Sequence, residues 1–172
     1  ITEGEYSDKF EQSFGRYVNN DNCSLVNSCT SALTLAYRMA EVGPGDEVIS
    51  TPMTCMATNE PIDTAGASIV WADIDPKTGN MCPQDVKRKI TKNTKAIVGV
   101  HWAGQPFDIE EINQIANDHG ITVIEDAAQA FGSGNAGLLS DAGTFSFYKT
   151  KNISTFEGGM ICIPEDSKLD SE

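Results

Sequence analysis

The chain has 172 residues, 40% of them hydrophobic, which is enough for one domain with a single buried core. Its formal net charge of −13, from 25 acidic and 12 basic residues, argues against nucleic-acid binding, and the five cysteines have no CxxC motif that would indicate a zinc site or a disulfide framework. No apolar run approaches the roughly 20 residues of a membrane span, and the start of the chain has no signal-peptide pattern, so a cytoplasmic protein is expected.

Helices and strands are predicted to alternate along the chain. The first helix is predicted over residues 6–18, where Phe10, Phe14 and Val18 recur every four residues and Ser7 is a possible N-cap. After "CSLVN", a second helix is predicted in "TSALTLAYRMAEV" and ends at the "GPG" motif. The later predicted helices are "ATNEPIDTAG", "PQDVKRKI" and "DIEEINQIANDHG", and the predicted strands are "EVIST", "SIVWADI", "KAIVGVHW", "ITVIED", "TFSFY" and "GGMICI".

This alternation predicts an α/β domain of three layers, in which helices cover both faces of a mostly parallel sheet of about seven strands. The last two strands are separated by a loop of about ten residues, which is too short for a helical crossover, so they are expected to be antiparallel or non-adjacent. In open α/β sheets, ligands bind beyond the carboxyl ends of the strands. Four segments follow such ends, namely residues 27–31, 51–58, 125–129 and 146–151.

The segment "NSCTSA" lies between a strand and the start of a helix. Its amide and hydroxyl groups, including those of Ser28, Thr30 and Ser31, are placed where a phosphate could bind the positive end of the helix. Serine and threonine are also preferred helix caps, so simple capping is the alternative. The segment therefore predicts either a phosphate site or a helix cap.

Two further segments carry charged side chains beyond strand ends. Asp126 ends a buried apolar strand and needs a cation or several donors to stay ionised, unless it merely caps the residues that follow. Lys149 and Lys151 follow another strand, and their equal parity on an extended chain gives no way to choose between them. Each lysine alone is typical of a solvated surface.

A phosphate cradle, a carboxylate and a lysine at neighbouring strand ends are what a pyridoxal 5'-phosphate site requires. The lysine forms an imine with the aldehyde, the carboxylate keeps the pyridine nitrogen protonated, and the cradle anchors the phosphate. The glycine motif "GSGNAG" predicts a flexible loop instead of a dinucleotide site, because it does not open a helix directly after a strand. His101 and Trp102 end a strand and could face a substrate, whereas His119 at a helix end needs no chemical role.

Four segments, "GPGDEVI", "VHWAGQPFDI", "VIEDAAQAFG" and "SDAGTFSFYKTKNISTFEGGM", together resemble the DegT/StrS family of sugar aminotransferases. The resemblance implies the large domain of a fold-type-I pyridoxal-phosphate enzyme, with Lys151 as the catalytic lysine and Asp126 at the pyridine nitrogen. It also implies cofactor contacts by Gln129, Ser146 and the turn of Cys29, Thr30 and Ser31. Cys55 stands where the family usually has an aromatic residue stacked on the cofactor ring, which implies weaker cofactor binding.

The resemblance further implies a function in nucleotide-sugar and polysaccharide biosynthesis, in a homodimer. An amino group, usually from glutamate, would pass to a keto sugar linked to a nucleotide, with Lys151 moving the proton. Residues 1–172 correspond to a single cofactor-binding domain without the family's small C-terminal domain, as expected for an incomplete gene, a truncated product or a split enzyme. The alternative is a non-catalytic domain that binds the cofactor or serves assembly. A third interpretation, a generic nucleotide-binding α/β protein, has only the "GSGNAG" motif in its favour, and that motif predicts a loop instead.

Overall fold

The structure, a computed structural model, describes residues 4–169, which form a seven-stranded sheet and five α-helices. The helices are α1 (Glu5–Val18), α2 (Cys29–Met39), α3 (Met56–Thr64), α4 (Pro83–Lys89) and α5 (Ile109–His119). The strands are β1 (Cys23–Val26), β2 (Glu47–Ser50), β3 (Ser68–Trp71), β4 (Thr94–Val100), β5 (Thr122–Asp126), β6 (Ala142–Ser146) and β7 (Gly159–Cys162). No helix within residues 4–169 is long and apolar enough to cross a membrane.

The strand order across the sheet is β1-β7-β6-β5-β4-β2-β3. Strand β7 is antiparallel to both of its neighbours, β1 and β6, and every other pairing is parallel. The predicted α/β fold with a mostly parallel sheet of about seven strands is therefore confirmed. Of the two arrangements left open for the last two strands, the antiparallel one is present.

Alternating side chains of the strands divide the core into two layers. Val48, Val98 and Ile124 pack with α2 on one face of the sheet, in a cluster that includes Leu33 and Tyr37. The neighbouring strand residues Ile49, Ile97 and Val123 pack on the other face with residues of α4 and α5, among them Val86, Ile112 and Ala116. A third cluster joins Phe14 of α1 to Phe145 and Phe147. Period-two alternation within buried strands thus gives each face its own helical cover.

Some local predictions were wrong. Helix α1 begins at Glu5, with Gly4 as its N-cap and no side-chain capping hydrogen bond, so Ser7 lies inside the first turn. Strand β4 ends at Val100, and Trp102 belongs to a short 3₁₀ turn, Trp102–Gly104, instead of the strand. In α5, by contrast, the cap residues behave as their types predict, because the Asp108 side chain accepts from the Glu111 amide and Gly120 adopts a left-handed conformation at the end.

Candidate active site

The candidate site lies at the edge of the sheet where the six co-directional strands end. Ser28 follows β1, Thr58 follows β2, Asp126 ends β5 and Ser146 ends β6. Because β7 runs the other way, it presents its first residue, Gly159, at the same edge. This is the edge at which ligands of open α/β sheets bind.

Helix α2 begins at this edge, and its first two backbone amides have no acceptor among residues 4–169. Ser28 is its N-cap, and the Ser28 hydroxyl oxygen accepts a hydrogen bond from the Ser31 amide at 3.1 Å. The first intrahelical bond runs from the Ala32 amide to the Ser28 carbonyl, at 3.1 Å, which leaves the amides of Cys29 and Thr30 available to a ligand. The capping function of Ser28 is therefore observed, and the phosphate function of the same turn stays a prediction.

Close packing places Ser146 beside this turn. Ser146 pairs with Gly159 across the β6–β7 ladder. A Cβ atom added to Gly159 would lie 2.4 Å from the Ser28 carbonyl carbon and 2.5 Å from the Cys29 nitrogen. Only a glycine lets the start of α2 approach the sheet this closely. The Ser146 side chain therefore lies one strand away from the start of α2.

Asp126 is buried, with 5% of its surface exposed, and each carboxylate oxygen has a donor. Thr58 Oγ1 donates to Oδ2 at 2.7 Å, and the Ala128 amide donates to Oδ1 at 3.0 Å. Residues 128–132 form turns and no helix begins there, so Asp126 caps a turn at Ala128. Two neutral donors, and not a cation, thus compensate this carboxylate within the described residues.

The pKa of the Cys29 thiol is affected by several of the candidate site residues. Burial raises its pKa well above the usual value, and the negative charge of Asp126 raises it further. The neighbouring Thr144 hydroxyl and the positive charge of Lys151 lower this pKa, and Cys55 raises it slightly. Side chains from β5, β6 and the loop after β6 therefore all influence the pKa of Cys29 at the start of α2. This places the predicted phosphate turn, carboxylate and lysine in one neighbourhood.

The two lysines differ in their surroundings, contrary to the parity expected of an extended chain. Strand β6 ends at Ser146, and residues 149–153 form turns in which the Lys151 amide donates to the Tyr148 carbonyl at 2.9 Å. The Lys149 ammonium lies 5.6 Å from the centre of the Tyr148 ring and its side chain is exposed, whereas Lys151 is half-buried. Within residues 4–169, Lys151 forms no salt bridge.

Gln129 is fixed against the turn that follows β4. Its Oε1 atom accepts a hydrogen bond from the Ala103 amide at 3.0 Å. Ala103 adopts a left-handed conformation with φ of 54°, and a Cβ atom on Gly104 would lie 2.9 Å from the Gln129 carbonyl oxygen. The side-chain amide nitrogen of Gln129 has no partner among residues 4–169, so it is the end available to a ligand.

Cys55 is the exposed N-cap residue of α3, and its side chain makes no capping hydrogen bond. Nearby, Thr54 Oγ1 and Thr58 Oγ1 lie 2.7 Å apart, and Thr58 reaches Asp126. Sequence analysis missed the role of Thr58, although residues 51–58 were identified as a strand-end segment. No local pattern could have shown it, because Thr54 lies in a bend before the helix and the partner of Thr58, Asp126, is 68 positions away.

The hypothesis that His101 faces a substrate was wrong. His101 is 1% exposed, and its Nε2 atom lies 2.8 Å from Oε2 of the fully buried Glu125. Its Nδ1 atom accepts from the Phe107 amide at 3.3 Å, which assigns the proton to Nε2. His101 and Glu125 therefore form a pair inside the fold. The glycine motif at 132–137 lies in turns, as the loop interpretation predicted.

The site residues lie on an open strand edge and not in an enclosed cavity. Two cavities of about 660 Å³ and 530 Å³ lie beside α1, and other residues line them, such as Glu11 and Asn27 in the first and Arg16 and Asp21 in the second. Cys55 and residues 148–150 are exposed at the open edge. A ligand there would be covered on one side only by residues 4–169.

The sequence matches the DegT/DnrJ/EryC1/StrS aminotransferase family over residues 1–171. It is 41% identical over 174 residues to the spore coat polysaccharide biosynthesis protein SpsC of Bacillus subtilis, covering 99% of this chain and 45% of that protein. It is 37% identical over 171 residues to the GDP-perosamine synthase of Vibrio cholerae, covering 97% of this chain and 47% of that protein. The chain spans about half the length of the relatives it matches.

Solved structures show the same fold. The pyridoxal-phosphate form of the sugar aminotransferase Spr1654 from Streptococcus pneumoniae superposes with a TM-score of 0.90 at 32% identity, over 95% of this chain and 47% of that chain. The agreement over nearly the whole chain supports the strand order and the antiparallel β7 described above.

Proposed function

Since this chain belongs to the DegT/DnrJ/EryC1/StrS aminotransferase family, we propose that it binds pyridoxal 5'-phosphate and forms the cofactor domain of a sugar aminotransferase. The residues at the strand edge fit this cofactor. The available amides of Cys29 and Thr30 lie at the positive end of α2, where a phosphate is favoured, and Ser146 lies one strand away. The close packing permitted by Gly159 brings these groups together.

Asp126 would hold the pyridine nitrogen. Its two hydrogen bonds, from Thr58 and Ala128, come from neutral donors and so leave its negative charge for a cationic partner. When bound, the cofactor supplies an electrophilic aldehyde and a ring that takes up the electron pair of the bond broken at the substrate carbon. A carboxylate beside the ring nitrogen keeps that nitrogen protonated and so supports this role.

Lys151 would provide the amine that bonds to the aldehyde and then carries the proton at the substrate carbon. The half-buried position of Lys151, together with the absence of a salt bridge among residues 4–169, leaves its amine available. Gln129 would contact the hydroxyl side of the ring through its side-chain amide. Cys55 would lie near the ring face, where it offers less contact area than an aromatic side chain.

The observation that carries the proposal is the position, at one edge of the sheet, of the start of α2, the Asp126 carboxylate at the end of β5 and Lys151 in the loop after β6, which the pKa shift of Cys29 also supports. It supports a common site for three groups from distant parts of the chain. The test is to incubate the chain with pyridoxal 5'-phosphate, reduce with borohydride and map the pyridoxyl mass on peptides. The expected label is on Lys151, with Lys149→Ala as the matched control that retains it. A label on Lys149, or spread over surface lysines, would contradict the assignment.

The substrates follow from the relatives as part of the same proposal. The acceptor is a nucleotide-linked keto sugar, the amino donor is glutamate, and the enzyme acts as a homodimer in the cytoplasm. The relative named GDP-perosamine synthase supports the acceptor class. The site's exposure on one side supports its completion by further protein, from a second subunit or a second domain.

A second candidate is a non-catalytic domain that binds the cofactor or serves assembly. The observation in its favour is that residues 4–169 cover the proposed site on one side only, with Cys55 and residues 148–150 exposed. The two candidates differ in the first half of transamination. A yellow chain that bleaches with glutamate supports catalysis, and a yellow chain that does not bleach supports the binding domain.

A further inference from the structure

A chain of hydroxyl groups leads to Asp126 from the start of α3. Thr54 Oγ1 lies 2.7 Å from Thr58 Oγ1, which lies 2.7 Å from Asp126 Oδ2. An ionised carboxylate can only accept, so the Thr58 hydroxyl donates to Asp126. The Thr58 proton is then committed, and the Thr54 hydroxyl must donate to Thr58. The direction of both hydrogen bonds is thus fixed by the charge at one end.

The backbone of Thr58 is held from both sides. Its amide donates to the Cys55 carbonyl at 3.0 Å, and its carbonyl accepts from the Tyr37 hydroxyl of α2 at 3.1 Å. Burial, followed by the charge of Asp126, raises the pKa of Tyr37 well above its usual value, so this phenol stays protonated and donates. Thr58 is 1% exposed. Its hydroxyl therefore has one well-defined position beside Asp126.

The next residue strengthens this placement. Asn59 accepts from the Ser50 hydroxyl at 2.5 Å and donates to the Thr51 carbonyl at 3.2 Å. Both contacts join the first turn of α3 to the end of β2. The turn that carries Thr58 is thus fixed to the same sheet that carries Asp126.

The use of the Thr58 hydroxyl is unlike that of another helical threonine in the chain. Thr34 of α2 donates to the carbonyl of Thr30, four residues earlier, at 2.8 Å. Such a bond within a helix is common and needs no function. Thr58 instead directs its hydroxyl across 68 positions of sequence to a buried carboxylate. A helix does not require that bond for its own stability.

We infer that Thr58, supported by Thr54, is a positioning residue that orients the Asp126 carboxylate toward the pyridine nitrogen of the cofactor. The inference rests on the proposed function. Thr58 holds one oxygen of the carboxylate and the Ala128 amide holds the other, so the plane of the group is fixed. Each oxygen keeps a second lone pair for the pyridinium proton. Without Thr58, only the Ala128 amide holds the carboxylate, so the plane of the group is no longer fixed.

The test compares two cofactors on the full chain and its variants. Absorbance titrations give the dissociation constant of pyridoxal 5'-phosphate and of an analogue in which carbon replaces the ring nitrogen. Thr58→Val keeps the shape and removes the hydroxyl, so we expect binding of the natural cofactor to weaken about tenfold. The carbon analogue should bind Thr58→Val and the unchanged protein with the same dissociation constant, because the analogue has no ring nitrogen to bind Asp126.

Three further variants serve as controls. Thr58→Ser keeps the donor and should bind the natural cofactor nearly as well as the unchanged protein. Thr54→Val removes only the supporting bond, so a smaller loss, about threefold, is expected. Thr34→Val makes the same isosteric change at a helical threonine outside the site and should alter neither affinity. Melting temperatures of all four variants identify any that fail to fold.

Each other outcome has a separate meaning. If Thr58→Val binds the natural cofactor as well as the unchanged protein does, the positioning role is wrong. If Thr58→Val weakens both cofactors equally, Thr58 is only structural, and the inference is also overturned. If the unchanged chain binds no pyridoxal 5'-phosphate and gives no label on Lys151, the proposed function itself fails, and the inference fails with it.

Discussion

Gly159 of β7 lies directly against Ser28, the N-cap of α2, so closely that a Cβ atom on Gly159 would come within 2.4 Å of the Ser28 carbonyl carbon. The contact atoms are backbone and have no rotamer by which to move away. The sheet and the start of α2 therefore share one fixed geometry. This contact therefore sets the direction in which the Cys29 and Thr30 amides point.

Gly159→Ala should therefore displace the start of α2. We expect a loss of about 1–3 kcal/mol in the free energy of unfolding, as for other overpacked sites. Binding of pyridoxal 5'-phosphate should fall more than the stability alone explains, because the amides turn away from the phosphate. Urea unfolding and a cofactor titration measure the two effects. Gly43→Ala is the matched control, since no atom lies within 4 Å of a Cβ added there. Equal cofactor affinity in both variants would contradict the role of Gly159.

Asp85 is expected to make the stability of the fold fall in acid. Its side chain is 4% exposed, and its pKa falls to about 2 from a usual 3.8, first because it accepts from the Asp73 amide and then because of Arg88 and Lys89. A carboxyl group whose pKa is lower in the folded state stabilises the fold above pH 3.8, and this contribution is lost as the pH falls towards 2. The contribution at neutral pH is about 2 kcal/mol.

Asp85→Asn should remove most of this contribution to the free energy of unfolding. The stability should then depend less on pH between 3.8 and about 2. The measurement is urea unfolding of both proteins from pH 7 down to the acid limit. Asp63→Asn, a change at an exposed carboxyl group on α3, is the control and should leave the acid limb unchanged. An Asp85→Asn protein with the same acid limb as the unchanged protein would show that Asp85 is not responsible.

Most of the fold was predictable because it depends on local pattern. Strand β4 contains the apolar run of residues 96–100, β5 contains Val123 and Ile124 directly after Ile121 and Thr122, and α5 has its own cap and stop signals in Asp108 and Gly120. The strand-end rule then located segments that lie at one edge of the sheet. What the sequence could not supply was the partner of each polar group, because those partners are distant. Thr58 and Asp126 are 68 positions apart, and no local periodicity relates them.

The burial of His101 could not be predicted for the same reason. A histidine at a strand end has the same local signature whether it meets a ligand or a buried acid. Here its partner, Glu125, lies on the adjacent strand β5 with its side chain fully buried. The positions of Lys149 and Lys151 likewise depended on a turn after Ser146 that an extended-strand assumption ignored.

Glu125 should stabilise the fold and take no part in the chemistry. Its carboxylate accepts from the Gly137 amide at 2.8 Å, the Leu139 amide at 2.8 Å and His101. An amide side chain in its place can accept at only one atom, so Glu125→Gln leaves a buried donor without an acceptor. We expect a loss of about 1–3 kcal/mol in the free energy of unfolding.

The affinity of the folded Glu125→Gln protein for pyridoxal 5'-phosphate should stay close to that of the unchanged protein, because this buried cluster does not reach the open edge. Glu110→Gln, on the exposed side of α5, is the control for removal of one charge. Thermal melting and cofactor titration provide the two readouts. A stable variant with lost cofactor binding would place Glu125 in the site and refute this division.

Cys55 gives the last prediction, an increase in affinity. It is exposed at the start of α3, three positions before Thr58, whose hydroxyl donates to Asp126, so it lies near the proposed ring site. Aromatic stacking contributes about 0.5–1.5 kcal/mol beyond the area it buries. Cys55→Phe should therefore bind pyridoxal 5'-phosphate about two- to tenfold more tightly. Cys55→Leu adds a large apolar side chain without a ring and should gain less, while Cys82→Phe, at the N-cap of α4, should gain nothing. Absorbance titration of the three variants decides the matter. An equal gain from Leu and Phe would assign the effect to buried area alone, and no gain from either would show that the cofactor ring does not lie beside Cys55.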